Sequence, residues 1–395
     1  MTHLPRLARR SFLLGLTAAV TVGRARLAVA DAPGEARFIV IILRGALDGL
    51  AAVQPYGEAG LHDLRGPLAL PEPGQEGGLL DLGGFFGLHP ALAHLHAMFA
   101  AGEALAIHAV AGHWRSRSHF DAQDFLESGE DRRLDSGWLN RALAALPEGR
   151  GEVRQGLAVG VGVPLLLRGP VKVSSYAPPG QPPVPADLLS LLAGLHAQDP
   201  LTAAAFREGL RARGFSAAAL AGSEPPPGNR NAFAALAGAA GRLLSRPDGP
   251  RVAAMELGGW DTHFAQPARL PPVLRELDQG LAALKEALGA AWAHTAVLLA
   301  TEFGRTVRVN GTQGTDHGTA GVAFVLGGAV AGGRVLGTWP GLSDLFENRD
   351  LAPTTDLRAV AKALLAGHLR LPPAAVAQAF PGSEQIAPMQ GLLRG

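Results

Sequence analysis

The stretch Phe38-Ile39-Val40-Ile41-Ile42-Leu43 decides the fold class, because six apolar residues in a row, four of them β-branched, leave a strand with no polar face. Such a run is typical of a strand buried on both sides, as in a parallel sheet. Similar runs occupy residues 104–110, 252–257, 295–300 and 321–326, and 156–167 contains a further candidate. Helical periodicity fills residues 89–101 and 271–292. The alternation predicts an α/β fold with a mostly parallel central sheet flanked by helices.

The composition excludes several classes of protein. Lys and Arg total 35 against 34 Asp and Glu, so the chain carries no overall basic field of the kind that nucleic-acid binding needs. Hydrophobic residues make up 47% of the chain, which is enough for a large core and excludes general disorder. Cysteine is absent, which excludes disulfides, thiolate metal sites and cysteine nucleophiles. We therefore expect no nucleic-acid partner, and any metal must be held by oxygen or nitrogen.

Residues 1–30 have the pattern of a twin-arginine export signal. Arg9-Arg10 is followed by a polar residue, Phe and Leu, and then by a modest apolar run at 13–22 that is too short for a permanent membrane span. Ala28-Val29-Ala30 places small residues where a signal peptidase cleaves, before Asp31. An ordinary secretory signal or an amphipathic helix is the alternative. We expect export by the twin-arginine translocase to the periplasm or beyond, with no permanent span.

The mature chain, residues 31–395, is predicted to be one domain with a helical insertion at about 175–250. Proline-rich segments at 178–185 and 223–228 flank an Ala/Leu-rich helical piece at 187–221. This region has no strand pattern and is too small to build a core alone. We therefore expect it to form a cap over the sheet.

Ionisable side chains cluster where the predicted strands end, which is where open α/β sheets bind ligands. Carboxylates and imidazoles in this position are suitable ligands for Zn, Mn or Fe. The ionisable residues are Asp48, Arg117, His119, Asp261, His263, Glu302, Arg305, Asp316 and His317, and the hydroxyl of Ser118 lies among them. Several such groups at one edge of a sheet predict a metal site.

Two short segments are the leading candidates for metal ligation. Asp261-Thr262-His263 puts a carboxylate and an imidazole on one face of an extended chain, although a hydrogen-bonded turn would use the same residues. Asp316-His317, within Gly-Thr-Asp-His-Gly, is either a ligand pair or a turn in which Asp316 caps its own backbone. Asp48 is either functional or a turn residue before Gly49, and Glu302 is either functional or paired with Arg305.

The catalytic candidates lie beside His119. Ser118 stands between Arg117 and His119, so it is either an activated nucleophile or the cap of a helix beginning at Phe120. Arg117 and Arg305 either hold an oxyanion through paired N–H bonds or form structural ion pairs. Nearby acidic residues are predicted to form a solvated helix face: Asp121, Asp124 and Glu127. Other histidines are predicted to be core or surface residues: His89, His94, His96, His108 and His294.

A series of motifs runs in order along nearly the whole chain and resembles one known group. The motifs are the twin Arg, Arg-Ser-His-Phe-Asp-Ala-Gln-Asp at 117–124, Ser-Gly-Trp-Leu-Asn-Arg at 136–141, Gly-Gly-Trp-Asp-Thr-His at 258–263, Thr-Glu-Phe-Gly-Arg-Thr at 301–306 and Gly-Thr-Asp-His-Gly-Thr-Ala at 314–320. Together they resemble the exported bacterial domain-of-unknown-function family fifteen hundred and one. That family is similar to the alkaline phosphatase and sulfatase superfamily. The resemblance implies an alkaline phosphatase-like sheet and hydrolysis of phosphate or sulfate esters at a two-metal site.

The superfamily pattern carries over unevenly onto this chain. A metal-binding Asp should end the first strand, whereas Asp48 follows it by five residues with Arg44 nearest the strand end. Ser118 has the place of the nucleophile, and Asp261 with His263 matches a ligand loop with shorter spacing. The Asp-His-Gly place is taken either by Glu302-Phe303-Gly304 or by Asp316-His317-Gly318.

The resemblance implies an exported metal-dependent hydrolase of small or polymeric esters. Asp261, His263, Asp316 and His317 would hold one metal, Asp48 and Glu302 would help with a second, Ser118 would attack, and Arg117 or Arg305 would bind the substrate oxygens. Phe303 favours one metal or none, and with it an alternative function as a non-catalytic exported binding or assembly protein. A third function, acyl hydrolysis by Ser118 and His119, is disfavoured because the chain has no G-x-S-x-G motif there.

Overall fold

The computed structural model describes residues 35–130, 132–146, 155–177 and 232–395. The predicted signal peptide and most of the predicted insertion, residues 178–231, lie outside the described residues. In the described part of the chain, no helix has both the length and the apolar character needed to cross a membrane.

Twelve strands and nine α-helices form the described part of the chain. The strands are β1 Arg37–Leu43, β2 Val53–Gln54, β3 Leu80–Asp81, β4 Gly87–Leu88, β5 Ala104–Ala111, β6 Gly156–Val159, β7 Ser174–Tyr176, β8 Val252–Leu257, β9 Thr295–Ala300, β10 Gly321–Leu326, β11 Arg334–Leu336 and β12 Thr355–Asp356. The helices are α1 Gly49–Ala52, α2 Leu61–Arg65, α3 Ala93–Ala100, α4 His119–Ser128, α5 Trp138–Leu143, α6 Ala232–Ser245, α7 Gln266–Leu288, α8 Leu357–Ala363 and α9 Pro373–Ala379. Short 3-10 turns at 66–68, 165–167 and 289–294 and a π-helical turn at 364–368 complete them.

A nine-stranded sheet forms the centre of the described structure, in the order β11-β5-β10-β9-β1-β8-β6-β7, with β12 also paired to β5. β10 runs antiparallel to both neighbours, β5 and β9. Every other pairing in this sheet, as far as the chain is described, is parallel. The predicted fold class, an α/β protein with a mostly parallel central sheet flanked by helices, is confirmed. A second, small antiparallel sheet has the order β2-β4-β3 and is formed by the part of the chain between β1 and α3.

β1 is central because its sequence offers no polar side to water. It pairs with β8 on one edge and β9 on the other, and all seven of its residues are buried. Phe38, Val40 and Ile42 face one hydrophobic cluster, and Ile39, Ile41 and Leu43 face another. Alternate side chains of a strand point to opposite faces, so this single run supplies both cores.

Helices cover the two faces of the sheet. The Ile39 face packs against side chains of α3, α6 and α7, and the Phe38 face packs against those of α4, α5, α8 and α9. The leucines of α7 recur at spacings of three and four residues and are all 2% exposed or less: Leu270, Leu274, Leu277, Leu281, Leu284 and Leu288. The predicted helix at 271–292 is therefore confirmed in place, although it starts earlier and ends in a 3-10 turn.

α6 and α7 pack closely because glycine allows it. A Cβ on Gly280 would lie 2.3 Å from the Phe233 ring of α6. α6, at the end of the region predicted as an insertion, thus belongs to the layer that covers the Ile39 face. At the beginning of that region, β7 extends the edge of the main sheet, a strand that the sequence pattern did not predict.

The loops that carry the ionisable side chains meet at one edge of the sheet. β1, β5, β8 and β9 end there, and the antiparallel β10 begins there. The segment before β10 therefore joins the segments after the other four strands. This is the edge at which open α/β sheets bind ligands.

Candidate metal centre

Three imidazoles converge on one carboxylate oxygen at this edge. The distances from Asp261 Oδ1 to the Nε2 atoms are 3.0 Å for His263, 3.4 Å for His317 and 3.5 Å for His119. Within the described ranges, one grouping of possible ligands meets the distance expected of a metal site: His119, Asp261 and His317, whose ligand atoms lie within 4.8 Å of one another. His263 adjoins this group, with its Nε2 2.9 Å from Nε2 of His317.

The hydrogen-bond partners of the three imidazoles assign the same tautomer to each. Nδ1 of His317 lies 2.7 Å from the carbonyl oxygen of Arg117, which only accepts. Nδ1 of His119 lies 2.7 Å from Glu302 Oε1, and Nδ1 of His263 lies 3.0 Å from Asp316 Oδ1. Each Nδ1 therefore donates, and when a ring is neutral its Nε2 lone pair lies on the side of Asp261. Histidines that bind metals show this arrangement, with the second nitrogen held by a carboxylate or a carbonyl.

The carboxylates at the centre are kept ionised. Burial would raise the pKa of Asp261, but the hydrogen bond and charge of Arg305 outweigh it and lower the pKa. Burial would likewise raise the pKa of Glu302, but hydrogen bonds from His119 and Gln123 outweigh it and lower the pKa. The hydrogen bond to Glu302 raises the pKa of His119, whereas burial lowers the pKa of His317. Anionic oxygen and imidazole nitrogen are thus both present at one point.

Glu302 is completely buried behind His119 and ties three segments together. Its Oε1 accepts hydrogen bonds from the amide of Gly45 at 2.8 Å and from Gln123 Nε2 at 3.0 Å, in addition to the bond with His119. Gly45 has a φ of +118°, and a Cβ there would lie 2.8 Å from the Asp261 amide nitrogen. Glycine at this position therefore lets the loop after β1 pass directly against the loop that carries Asp261.

One face of α4 forms the wall of the site. His119, Gln123 and Glu127 recur every four residues and so lie on the same side of the helix. Arg44 donates to Gln123 Oε1 at 2.9 Å and to Glu127 Oε1 at 2.6 Å. Glu127 is only 3% exposed, so its prediction as part of a solvated face is wrong. Arg44 neutralises its charge and the amide of Leu166 also donates to it, at 2.8 Å.

Comparison with known proteins identifies the family. The sequence pattern described as "Protein of unknown function (DUF1501)" matches residues 114–380, more than half of the chain. The chain belongs to the DUF1501 family. No curated protein matches it.

Two solved structures are similar to the chain over about three quarters of its length. The C-terminal periplasmic domain of EcEptC from Escherichia coli, in complex with Zn, is 10% identical with a TM-score of 0.35, over 75% of this chain and 74% of that one. The phosphonate monoester hydrolase of Agrobacterium radiobacter is 13% identical with a TM-score of 0.33, over 76% of this chain and 70% of that one. Likeness at this level says nothing about the activity of this DUF1501 member, which has to be inferred from its own residues.

The motif segment 136–141 of this DUF1501 member is structural. Asn140 donates to the carbonyls of Leu167 and Val171, both at 2.8 Å. Arg141 donates to the carbonyls of Ser136 and Ala379. The segment joins neighbouring loops and contributes nothing to the converging imidazoles.

Asp48, predicted as a metal ligand, lies in a buried ion pair. Its carboxylate binds Arg65 and accepts from Gln266 Nε2 at 2.6 Å. It also caps α1 by accepting the amide of Ala51 at 3.2 Å. Asp48 is therefore neutralised by Arg65 and does not belong to the group formed by His119, Asp261 and His317.

Arg305, predicted to bind substrate oxygens, is 1% exposed and holds loops of its own chain. It donates to the carbonyls of Ala46, Gly45 and Thr315, each at 2.9 Å, and pairs with Asp261. The sequence offered an ion pair between Arg305 and Glu302 as one alternative, but the carboxylate that pairs with Arg305 is that of Asp261. Arg305 therefore orients Asp261 and is turned away from solvent.

The other predicted catalytic residues lie at the start of α4. Ser118 is in the cap position, but its side chain makes no capping hydrogen bond. The guanidinium of Arg117 binds Glu347 and Asp350, while its carbonyl holds His317. His119 was predicted to act together with Ser118. In the structure its imidazole lies between Asp261 and Glu302.

Both candidate segments for the Asp-His-Gly place meet at this centre. Phe303 packs its ring 4.9 Å from that of His119 and 5.1 Å from that of His317, measured between ring centroids, and is 5% exposed. Asp316, 55% exposed, orients His263 and is itself held by Asn310 Nδ2 at 3.2 Å. The supporting roles of Gln123 and Asn310 were missed from the sequence. The spacing of four between His119 and Gln123 is the signal that indicates the first of them.

Proposed function

We propose that this protein is an exported hydrolase of phosphate or sulfate esters that binds one divalent metal ion at the edge of the sheet. The observation that carries the proposal is the convergence of three Nε2 atoms on Asp261 Oδ1, each from an imidazole whose Nδ1 is already held by an oxygen.

The residues present fit a metal ion. Nε2 of His119 is buried and has no hydrogen-bond partner among the described residues. Nε2 of His263 and Nε2 of His317 are 2.9 Å apart, although the assigned tautomers give both a lone pair and neither a proton. A shared cation would relieve both conflicts. His119, Asp261 and His317 would hold it, with His263 beside them, and such a set suits Zn, Mn or Fe.

The site is open on one side, as a catalytic metal site requires. The side chains of Asp261 and His263 are 47% and 40% exposed, whereas Glu302 and Arg305 behind them are buried. Three protein ligands with an open position are typical of catalytic rather than structural metal sites. A metal ion there would act as a Lewis acid toward an anionic ester and lower the pKa of an oxygen nucleophile.

We propose Ser118 as the nucleophile toward phosphorus or sulfur. Its side chain is not used as a helix cap, and it adjoins the proposed ligand His119. Glu302 keeps the proton of His119 on Nδ1, and Arg305 keeps Asp261 ionised. The proposal includes one metal ion, because Asp48 is paired with Arg65 and Glu302 is occupied by hydrogen bonds from His119, Gln123 and the amide of Gly45.

The test is the metal content of the mature protein, purified without chelators. We expect about one equivalent of Zn, Mn or Fe in the wild type and its loss in Asp261→Asn and His317→Ala. His294→Ala is the matched control, because His294 is exposed at the opposite end of β9. Protein with its metal bound is then screened against phosphate, sulfate and phosphonate esters, and absence of hydrolysis in that screen would refute the proposed reaction.

Phe303 favours a second function, that of a non-catalytic exported binding or assembly protein. Its ring packs against those of His119 and His317, and Phe303 stands in the place of a histidine if Glu302-Phe303-Gly304 is the Asp-His-Gly segment of the superfamily pattern. Ser118→Ala distinguishes the two functions. The hydrolase proposal predicts loss of turnover with retention of the metal, whereas the binding function predicts that the cellular role of the protein is unchanged.

A further inference from the structure

A buried carboxylate on the far side of His317 joins the two segments that carry His119 and His317. Asp350 is 0% exposed, and its Oδ2 accepts from Arg117 Nη2 at 2.7 Å and from Thr319 Oγ1 at 2.9 Å. Arg117 precedes His119 by two residues, and Thr319 follows His317 by two residues. One oxygen atom therefore ties together the segments on both sides of the centre.

The turn that carries Asp350 also holds His317 directly. Arg349 donates to the carbonyl of His317, and its Nε lies 3.0 Å from Asp350 Oδ1. The amide of Val307 donates to the carbonyl of Arg349 at 3.0 Å, which anchors the turn to the chain after β9. The position of His317 thus depends on residues 349 and 350 as well as on its own loop.

Arg117 connects Asp350 to the chemistry of the imidazole. Its side chain is bound by Asp350, and its carbonyl accepts the Nδ1 proton of His317 at 2.7 Å. Displacing the guanidinium would move that carbonyl. The Nδ1–H tautomer of His317, and the direction of its Nε2 lone pair toward Asp261, would no longer be fixed.

We propose that Asp350 is a positioning residue of the metal centre: it sets the separation of the His119 and His317 segments and, through the Arg117 carbonyl, the tautomer of His317. The inference rests on the proposed metal site and goes beyond it, because the side-chain hydrogen bonds described for Asp350 go to residues other than the proposed ligands. It acts through Arg117, Thr319 and Arg349.

Glu347 provides a matched control. Its carboxylate binds the same Nη2 atom of Arg117, but its side chain is 52% exposed. Glu347→Gln therefore removes one of the two carboxylate charges that contact Arg117 and leaves the bridge from Asp350 to Thr319 in place. Asp350→Asn removes the same charge from the buried bridge with little change of shape.

The test is a titration of the metal-free mature protein with Co²⁺, followed by visible absorption. We expect Asp350→Asn to weaken Co²⁺ binding by about 10-fold, the low end of the effect of losing a group bonded directly to a ligand, because Asp350 acts through Arg117 and Thr319, and to change the absorption bands. Glu347→Gln should stay within about fivefold of wild type, as expected for an exposed ion pair. Wild-type affinity and bands in Asp350→Asn would overturn the inference while leaving the proposed metal site intact.

Two further measurements apply if Asp350→Asn does not fold or if the wild type binds no metal. Thr319→Val is isosteric and cuts the bridge on the His317 side only, so weaker Co²⁺ binding supports the inference and unchanged binding refutes it. In metal-free protein, nitrogen-detected NMR reports the His317 tautomer. The tautomer should be Nδ1–H in wild type and Glu347→Gln and mixed in the Asp350 or Thr319 variant, and a tautomer unaffected by the variants refutes the inference even where the function proposal has failed.

Discussion

At the scale of single residues, the partner of a buried ionisable group determines its role. Glu302 and Asp48 both follow strands of the central sheet and both are buried, and the sequence makes them equally good ligand candidates. Glu302 accepts from His119 and thereby directs an imidazole, whereas Asp48 is paired with Arg65 and caps a short helix. A buried carboxylate has to be neutralised by something nearby, and what neutralises it cannot be deduced from its own neighbours in sequence.

His108 gives a prediction about pH at this scale. Its Nε2 donates to the carbonyl of Val53 at 2.9 Å, its Nδ1 accepts from the amide of Ala109 at 3.0 Å, and burial lowers its pKa to about 4. The unfolded chain takes up a proton near pH 6.5, so the neutral ring contributes full stability above that pH. Below it the free energy of unfolding falls until about pH 4, by up to about 3 kcal/mol.

Urea unfolding of the wild type and His108→Gln at several pH values checks this. We expect the variant to be less stable at pH 7 but to lose less stability between pH 6.5 and 4.5. The exposed His294→Ala should keep the wild-type slope. Equal slopes in wild type and His108→Gln would show that His108 is not the group responsible.

At the scale of secondary-structure elements, helices are completed by side chains from other helices. The α3 helix begins after Leu92, which offers no capping side chain. Asp278 of α7 takes that role: its carboxylate accepts the amide of His94 at 3.0 Å and the amide of Leu95 at 2.9 Å. A carboxylate at this end also interacts favourably with the helix dipole. The cap comes from a residue far away in sequence, so no local pattern could predict it.

We expect Asp278→Ala to lower the free energy of unfolding by about 1–2 kcal/mol, because two amides at the start of α3 lose their acceptor. Chemical denaturation measures the change. Glu286→Ala, an exposed acidic residue of the same helix, should change stability by less than about 0.5 kcal/mol. A loss in Asp278→Ala no larger than that of Glu286→Ala would contradict the capping role.

At the scale of the whole molecule, the order of the strands assembles the centre. β5, β10, β9, β1 and β8 are consecutive neighbours in the sheet, and apart from β9 and β10 the neighbours come from distant parts of the chain. Because β10 is antiparallel, Asp316 and His317 precede their strand and still reach the edge where Asp261 and His119 follow theirs. Arg305 then fixes the loops after β1 and β8 to each other by donating to both.

Export is the prediction that belongs to the whole chain. If the twin Arg is the signal, Arg9→Lys/Arg10→Lys should leave most of the protein uncleaved in the cytoplasm, whereas Arg24→Lys/Arg26→Lys, outside the pair, should not. Cell fractionation with immunoblotting measures both. Normal export of the Arg9/Arg10 variant would assign the segment to the ordinary secretory route.

The sequence by itself determined the fold class and the edge of the sheet at which the ionisable side chains gather. The apolar runs of β1, β5, β8, β9 and β10 indicate central strands of the sheet. A strand that is covered on both faces needs apolar side chains at successive positions, and this pattern is visible in the sequence. The short strands β7, β11 and β12 have no such run, because they lie at or near an edge of the sheet, and they were not predicted. Ionisable residues next to the strand ends predicted the edge of the sheet at which the imidazoles converge, because the end of a strand is a local property.

Only the tertiary structure decided which groups face each other there. His119 meets Glu302 across 183 residues, and Asp350 meets Arg117 across 233. Such pairs depend on the order and direction of the strands, which are set by the packing of the whole sheet and its helices and leave no periodic trace in the chain. The sequence therefore supplied the imidazoles and carboxylates of the centre, and the fold assigned one set to the proposed metal and the other to holding that set in place.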